Sequence, residues 1–420
     1  MRERPEPHGR RTGGRRAVAL AVVFAVALAT RLLWIHGAGG SDAYVVDPLA
    51  IDGWGAIAAS LAQGDGFALP APDGQPTPSA WRAPVYPLVL AGWFVVWGDD
   101  PAEGRLLQAV LGATAAALLL GLAIALTGSW PVATAASLLW AVQYKDWDLS
   151  LRLWSESLVT VVLLLAVPAW RRAVARASGR AAALAGAVIG VAALTRPEVI
   201  LAVPFFAAIG ARATGRGNRL AWALALLCGA ALVVAPWMAR NARLAGHLVL
   251  GDTSAGFNLY QGALSAAYVP ARDFSPHGRA ALALPDEFAR DAALRARAWE
   301  RIAAAPGAYL RRAARRAAMS LVNLVDPEAS WRPTRASLLA LPLYALAVLG
   351  GGLLARRGQA PTVALVGAML GTSVVAHALT VAMLRTVLPY LPYLCVFATV
   401  GAVGAAQWLW RRRGPSARGR

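Results

Sequence analysis

The aspartates that open the stretch "DAYVVDPLAIDGWGAIAASLAQGDGF" at residues 42–67 are the first residues whose type and spacing could do chemistry. Asp42, Asp47 and Asp52 stand beside an apolar helical pattern that includes Ile57 and Leu61. A positioned carboxylate can take the proton from a hydroxyl as that hydroxyl attacks an electrophile. When the leaving group is a phosphate, the guanidinium fork of arginine matches its oxygens. Arg82, Arg196, Arg240, Arg243 and Arg385 are candidates for that role. The two residue types together suit transfer of an activated sugar to an acceptor hydroxyl, with an Asp as base and the arginines on the departing phosphate. Arg196 and Arg385 fall where expected helices meet a membrane surface, so snorkelling to the interface is the other reading of both.

Other polar points accompany them. "KDWDLS" places Asp146 and Asp148 in D-x-D spacing, which can hold a divalent metal ion through oxygen ligands and also arises by chance. Glu156 opens an expected helix, either as a first-turn acid favoured by the helix dipole or as a substrate-binding group. "AWRAPVYP" at 80–87 offers Tyr86 beside Arg82. "WMARNARLAGHLVLGDTSAGFNLYQG" at 237–262 offers Asn258 and Tyr260 to a substrate, on a Gly-containing segment expected to turn back over the membrane surface. No G-x-S-x-G, Walker A, H-E-x-x-H or zinc spacing is present. His377 lies within an expected span, where a packing role is the simpler expectation.

These residues must be positioned by membrane-spanning helices. The chain has 420 residues, 58% of them hydrophobic and 15% charged, against about 25% charged in an ordinary soluble domain. Nearly charge-free runs cover 17–33, 105–126, 130–144, 152–170, 181–194, 199–211, 220–238, 337–354, 362–384 and 389–410. A span needs about 20 such residues, fewer with snorkelling flanks. The reading is an all-α polytopic membrane protein with about ten transmembrane helices and a long first external loop carrying interfacial helices.

The net charge of +19 follows topology. Arginines gather in residues 1–16 and 411–420 and in the short loops 171–180, 212–219 and 355–357, a positive-inside pattern and not a nucleic-acid footprint. The basic start at 1–16 precedes a retained first helix, since no small-residue cleavage site follows it. With both basic tails cytoplasmic, the transmembrane domain runs from 17 to 410. Residues 36–104 form its first external loop, and 239–335 a long external segment. The 13-residue run at 86–98 cannot cross without breaking the parity of that count, and lies along the interface or dips in and returns. Cys228 and Cys395 both fall in expected spans, so no disulfide is expected.

On this topology the polar points share the outer side. "DPLAIDGWGAIAASLAQGDGF", "AWRAPVYPLVLAGWFVVWG", "GRLLQAVLGATAAALLLGLA", "LWSESL", "ALTRPEVILAVP", "PWMARNARLAGHLVLGDTSAGFNLYQGA" and "LRTVLPYLPYL" follow one another in the order of blocks in a known group. The chain resembles the GT-C membrane glycosyltransferases, above all the protein O-mannosyltransferases and lipid A aminoarabinose transferases with their bacterial relatives. The resemblance covers nearly the whole chain. It implies a polyprenyl-phosphate-linked sugar donor and an envelope glycan, lipid or protein as acceptor. It also implies inversion, with a first-loop Asp as base at the outer face of the cell membrane. Asp47 matches the place of that Asp best and Asp52 is its rival, because Ile51 stands where the group often has an aromatic. Arg385 matches the arginine near the start of the last conserved helix. Asn258–Gly262 resembles an N-x-Y-x-G-N-N motif, with Ala263 in place of its first paired Asn. The other readings are a transporter or flippase of a polyprenyl-linked or anionic substrate, and an inactive envelope scaffold. A transporter would place ionisable groups near the bilayer midplane and show an inverted repeat, and no clear repeat is seen.

Overall fold

The computed structural model describes residues 8–38, 53–71, 74–215, 218–249, 251–266, 269, 271–322, 340–381 and 386–413. Asp42, Asp47, Asp52 and Arg385 lie outside the described residues.

The described chain is helical almost throughout. Its elements are α1 (His8–Ala38), α2 (Trp54–Gln63), the short hairpin β1 (Ala68–Pro70) and β2 (Pro76–Pro78), α3 (Val85–Trp97), α4 (Pro101–Thr127), α5 (Trp130–Ala141) and α6 (Tyr144–Leu149). There follow α7 (Glu156–Arg176), α8 (Gly179–Thr195), a 3-10 turn (Pro197–Ala202), α9 (Val203–Ala213) and α10 (Arg219–Ala245). Next come α11 (Ala255–Leu264), α12 (Pro276–Leu282), α13 (Glu287–Ala304) and α14 (Pro306–Val322). The last helices are α15 (Ala340–Leu354), α16 (Ala360–Leu379) and α17 (Leu391–Arg413). The protein is an all-α polytopic membrane protein.

Local sequence sets the helix ends. Asp100 caps α4 by accepting from the Ala102 N–H, with Pro101 in the first turn, where a missing N–H loses nothing. Asn218 and Asp286 cap α10 and α13 in the same way. At Gly246, φ of 71° stops α10 in the left-handed conformation that glycine adopts freely.

Each apolar run expected to cross the membrane has most of its described residues in a helix. Among the described residues, six stretches have the length and apolarity of a span: Ala17–Gly37, Pro101–Thr127, Glu156–Arg176, Arg219–Ala245, Ala340–Leu379 and Leu388–Arg412. The fifth is two helices, since Arg357 and Gly358 leave helical geometry and the chain folds back there. Three expected spans are shorter: α5 has 12 residues, α8 has 17 and α9 has 11 after its 3-10 turn. At about 1.5 Å per residue, each of these helices falls short of a core about 30 Å thick. The 13-residue α3 is likewise short, as expected. It buries Tyr86, Leu90 and Phe94 and exposes Val95, Val96 and Trp97.

Helix pairs approach closely where glycines line the seam. A Cβ at Gly186 or Gly190 of α8 would overlap backbone of α10, and one at Gly229 of α10 would overlap the Ala183 carbonyl. Gly350 of α15 and Gly401 of α17 stand in the same relation across a second seam. Lipid tails are as apolar as leucine, so helix association in a bilayer comes from such close packing more than from a hydrophobic drive. A buried ion pair ties α1 to α6: Arg31 donates to Asp146, with side-chain exposures of 0% and 2%. Far from it, Arg171 of α7 donates to Gln359 (2.6 Å) and Thr362 (2.7 Å), holding the α15–α16 turn.

Two local expectations change. Helix α10 continues past Trp237 to Ala245, so Arg240 and Arg243 sit on its last turns. The segment expected to turn back at 253–262 instead forms α11. Its glycines serve contact and not turning: Gly256 lies against the Asp291 carbonyl of α13, and Gly262 against the Thr380 carbonyl. Helices α11 to α14 share a small core of Tyr260, Phe274, Leu294, Ala298 and Tyr309, separate from that of the main bundle.

Candidate active site

The polar residues collect at the end of the bundle where α7 begins. Three elements meet there: the start of α7, the break between α8 and the 3-10 turn, and the last turn of α16. Glu156 is fully buried in the first turn of α7. Arg196 caps the end of α8 with an extended backbone (φ −140°), which ends the helix and leads into Pro197. Its guanidinium donates through Nη1 to Glu156 Oε1 and through Nε to Glu198 Oε1. Its Nη2 lies 3.3 Å from His377 Nε2. Arginine can only donate, so His377 Nε2 accepts there. Its Nδ1–H then donates to the Ser373 carbonyl at 2.8 Å. Burial pushes the Glu198 carboxyl upward, but the positive charge of Arg196 and the hydrogen bond it donates outweigh that and hold Glu198 below the usual carboxylate range.

Glu156 is fixed from behind. The buried amide of Gln108 donates to the carbonyls of Arg152 (2.8 Å) and Trp154 (2.6 Å) and to the Tyr86 hydroxyl (2.9 Å). Those bonds shape the turn that delivers the chain into α7.

A second group faces this cluster across the loop 79–84. The Arg82 guanidinium lies 4.2 Å from the ring centre of Trp54 and 5.1 Å from that of Trp81, a cation–π arrangement on both. Gly53, with φ of 76°, leaves room for Trp81 to pack against it. The loop before α11 completes the group. The Thr253 N–H donates to the Ala80 carbonyl at 3.0 Å. Gly251 packs on Pro197, next to Glu198. Asp252 accepts from the Ser254 N–H (3.1 Å) and hydroxyl (2.7 Å), and Asn258 Nδ2 donates to that same hydroxyl at 3.3 Å. Burial holds the Asp252 carboxyl above its ordinary range, the attraction of Arg82 and the Ser254 bonds act the other way, and the like charge of Glu198 adds to the rise.

The expected site residues distribute unevenly about this frame. Arg82, Glu156, Arg196 and Asn258 are brought to it. Tyr86 stands directly behind it, buried, with its hydroxyl bonded to Gln108. Arg240, expected on a phosphate, instead donates to the carbonyls of Ser79 (2.8 Å) and Phe67 (3.1 Å) and stacks on Trp237. Arg243 is exposed on the last turn of α10. Tyr260 is buried in the small core of α11 to α14, with its hydroxyl 3.1 Å from Ser275 Oγ. Asp146, expected as a metal ligand, has its carboxylate on Arg31, which supplies the positive charge a cation would bring. The Asp148 side chain, with Asp47, Asp52 and Arg385, lies outside the described residues. Among the described residues, no group of three or more His, Cys, Asp and Glu side chains gathers as a metal site.

Sequence reasoning passed over Glu198, Asp252, Trp54 and Trp81, and assigned His377 to packing. Glu198 had a local sign, a carboxylate two residues from Arg196 at a helix end. Asp252 had a weaker one, a single charge in a Gly/Ser/Thr stretch. The frame as a whole presents guanidinium groups and aromatic faces at a bundle end. Buried carboxylates lie beside them.

Comparison with known families agrees with that chemistry. Residues 81–239, less than half of the 420-residue chain, match the sequence pattern of the dolichyl-phosphate-mannose-protein mannosyltransferase family. The matched span contains Arg82, Glu156, Arg196 and Glu198. A search of the curated proteins gives no significant match.

Proposed function

We propose that this chain, a membrane glycosyltransferase of the GT-C type, moves a sugar from a polyprenyl-phosphate donor to an envelope glycan, lipid or protein acceptor on the outer face of the cell membrane. The observation that carries the reading is the coincidence of the family match with the Arg82, Glu156, Arg196 and Glu198 constellation at one end of a multi-pass bundle. Six apolar stretches of membrane-spanning length among the described residues support a lipid-linked substrate.

In the proposed reaction a first-loop Asp, Asp47 or Asp52, takes the proton from the acceptor hydroxyl. The freed oxygen attacks the anomeric carbon from the face opposite the phosphate. The bond from that carbon to the phosphate oxygen breaks, and polyprenyl phosphate leaves with the electron pair. The configuration at the sugar inverts. Arg82 and Arg385 stabilise the charge that grows on the departing phosphate. Arg82 is favoured among the described arginines because its guanidinium lies over the faces of Trp54 and Trp81 beside Asp252 and the Glu156–Arg196–Glu198 group. Arg196 instead holds Glu156 and Glu198 in place around the sugar. Asn258 contacts the donor or acceptor through its carbonyl.

The test uses purified protein in lipid with a panel of labelled polyprenyl-phosphate sugars and an envelope extract as acceptor. Wild type is compared with Asp47→Asn and Asp52→Asn. Transfer by wild type, with a loss of about a hundredfold or more in one Asn variant, identifies that Asp as the base. Equal transfer by wild type and both variants removes the first-loop Asp from the mechanism.

A further inference from the structure

The loop that carries Trp81 and Arg82 has no regular structure over residues 79–84, yet it must hold a guanidinium in one place. Its bracing comes from far away in the chain. Glu287, in the first turn of α13, accepts from the Ser79 hydroxyl through Oε2 at 2.8 Å and from the Ala80 N–H through Oε1. Ser79 Oγ in turn accepts from the Trp81 N–H at 3.0 Å. A continuous hydrogen-bonded path therefore runs from the Glu287 carboxylate to the residue before Arg82. Arg240 takes the Ser79 carbonyl, and the Thr253 N–H takes the Ala80 carbonyl. Both Ser79 and Ala80 are thus held on their donor and acceptor sides.

Glu287 is itself firmly placed. Asp286 caps α13, and α13 packs on α11 through the small core that includes Leu294 and Ala298. The carboxylate has no catalytic surroundings of its own: its two oxygens serve the loop. Three groups from elsewhere in the chain, Glu287, Arg240 and Thr253, meet on two loop residues, and Glu287 is the one that bonds a side chain and a backbone donor at once.

We propose that Glu287 is a positioning residue for the donor-phosphate site, fixing Ser79–Trp81 so that Arg82 is presented over Trp54. The proposal rests on the reading of Arg82 as a phosphate contact. It makes α11 to α14 part of the site's construction.

Two signals separate the parts of this idea, both on the full chain in lipid nanodiscs. Amide exchange over residues 79–83 reads the loop, and binding of polyprenyl phosphate without sugar reads the site. In Glu287→Ala, loop exchange is expected to rise about tenfold and binding to weaken about tenfold, the scale of one net hydrogen bond. Exchange over 290–304 stays at the wild-type level, showing that α13 remains folded. Glu287→Gln keeps an acceptor for the Ala80 N–H and can donate to Ser79 Oγ, so it retains most of the binding. The double variant Glu287→Ala with Arg82→Ala binds no more weakly than Arg82→Ala alone. Loop exchange unmoved by Glu287→Ala, or losses that multiply in the double variant, overturns the role of Glu287. Wild-type protein that fails to bind polyprenyl phosphate overturns the donor reading instead.

Discussion

Arg196 shows how one residue's part depends on what surrounds it. A guanidinium at a helix end is an obvious anion binder, but three of its nitrogens already face Glu156, Glu198 and His377. Removing one partner of a buried ion pair leaves a charge that nothing compensates. Arg196 therefore secures the carboxylates first. Asp252 invites a direct check at this scale. Its folded-state carboxyl is raised, by burial first and by Glu198 in addition, with Arg82 and Ser254 opposing. A raised folded value means the folded protein binds this proton more readily than the unfolded chain does. Its stabilising contribution is full below the unfolded value and is lost as pH rises through the folded one. Thermal midpoints of wild type and Asp252→Asn, followed from neutral pH down through the carboxylate range, should diverge in favour of wild type. A constant gap across that range would mean that Asp252 titrates normally.

At the scale of elements, the seams between helices depend on residues too small to notice in a hydropathy plot. Gly350 of α15 faces the Phe397 carbonyl of α17 with no room for a Cβ, and Gly401 meets the Leu346 carbonyl from the other side. A larger residue must push the helices apart over the length of the seam. Gly350→Val is expected to lower the thermal midpoint in detergent by several degrees, the effect of about 2–4 kcal/mol of overpacking in a close helix contact. Gly352, with nothing near its Cβ position, is the control, and Gly352→Ala should leave the midpoint unchanged. A Gly350→Val protein as stable as Gly352→Ala would show that the seam yields freely. Elements also correct the reading of the 253–262 stretch, where glycines permit α11 to lie on α13 and do not bend the chain.

For the whole molecule, the arginine distribution points to a sided arrangement. Arg171, Gln359 and Thr362 meet at the end remote from Glu156, beside the basic loops. We place that end in the cytoplasm and the Arg82 end outside. In a background with Cys228 and Cys395 replaced by alanine, a cysteine at position 74 should react in intact cells with a reagent that cannot cross the membrane. One at position 357 should react only after permeabilisation. The reverse pattern would put the candidate site on the cytoplasmic side. Either result leaves the family match in place, and only the first agrees with an acceptor in the envelope.

Several features of this protein were legible in the chain alone. Apolar runs predicted the helices of the bundle, because burial in lipid is a property of consecutive residues and needs no knowledge of neighbours. The residue types at Arg82, Glu156 and Arg196 marked positions that the fold brings together, and the order of blocks from "DPLAIDGWGAIAASLAQGDGF" to "LRTVLPYLPYL" carried a resemblance with which the match over residues 81–239 agrees. Tertiary structure alone decided which charge serves which. Arg31 meets Asp146 across 115 positions, and Glu287 meets Ser79 across 208. A carboxylate's work depends on the groups within a few ångströms of it. Packing brings those groups together, and no local pattern around Glu287 or Asp146 records that they will arrive.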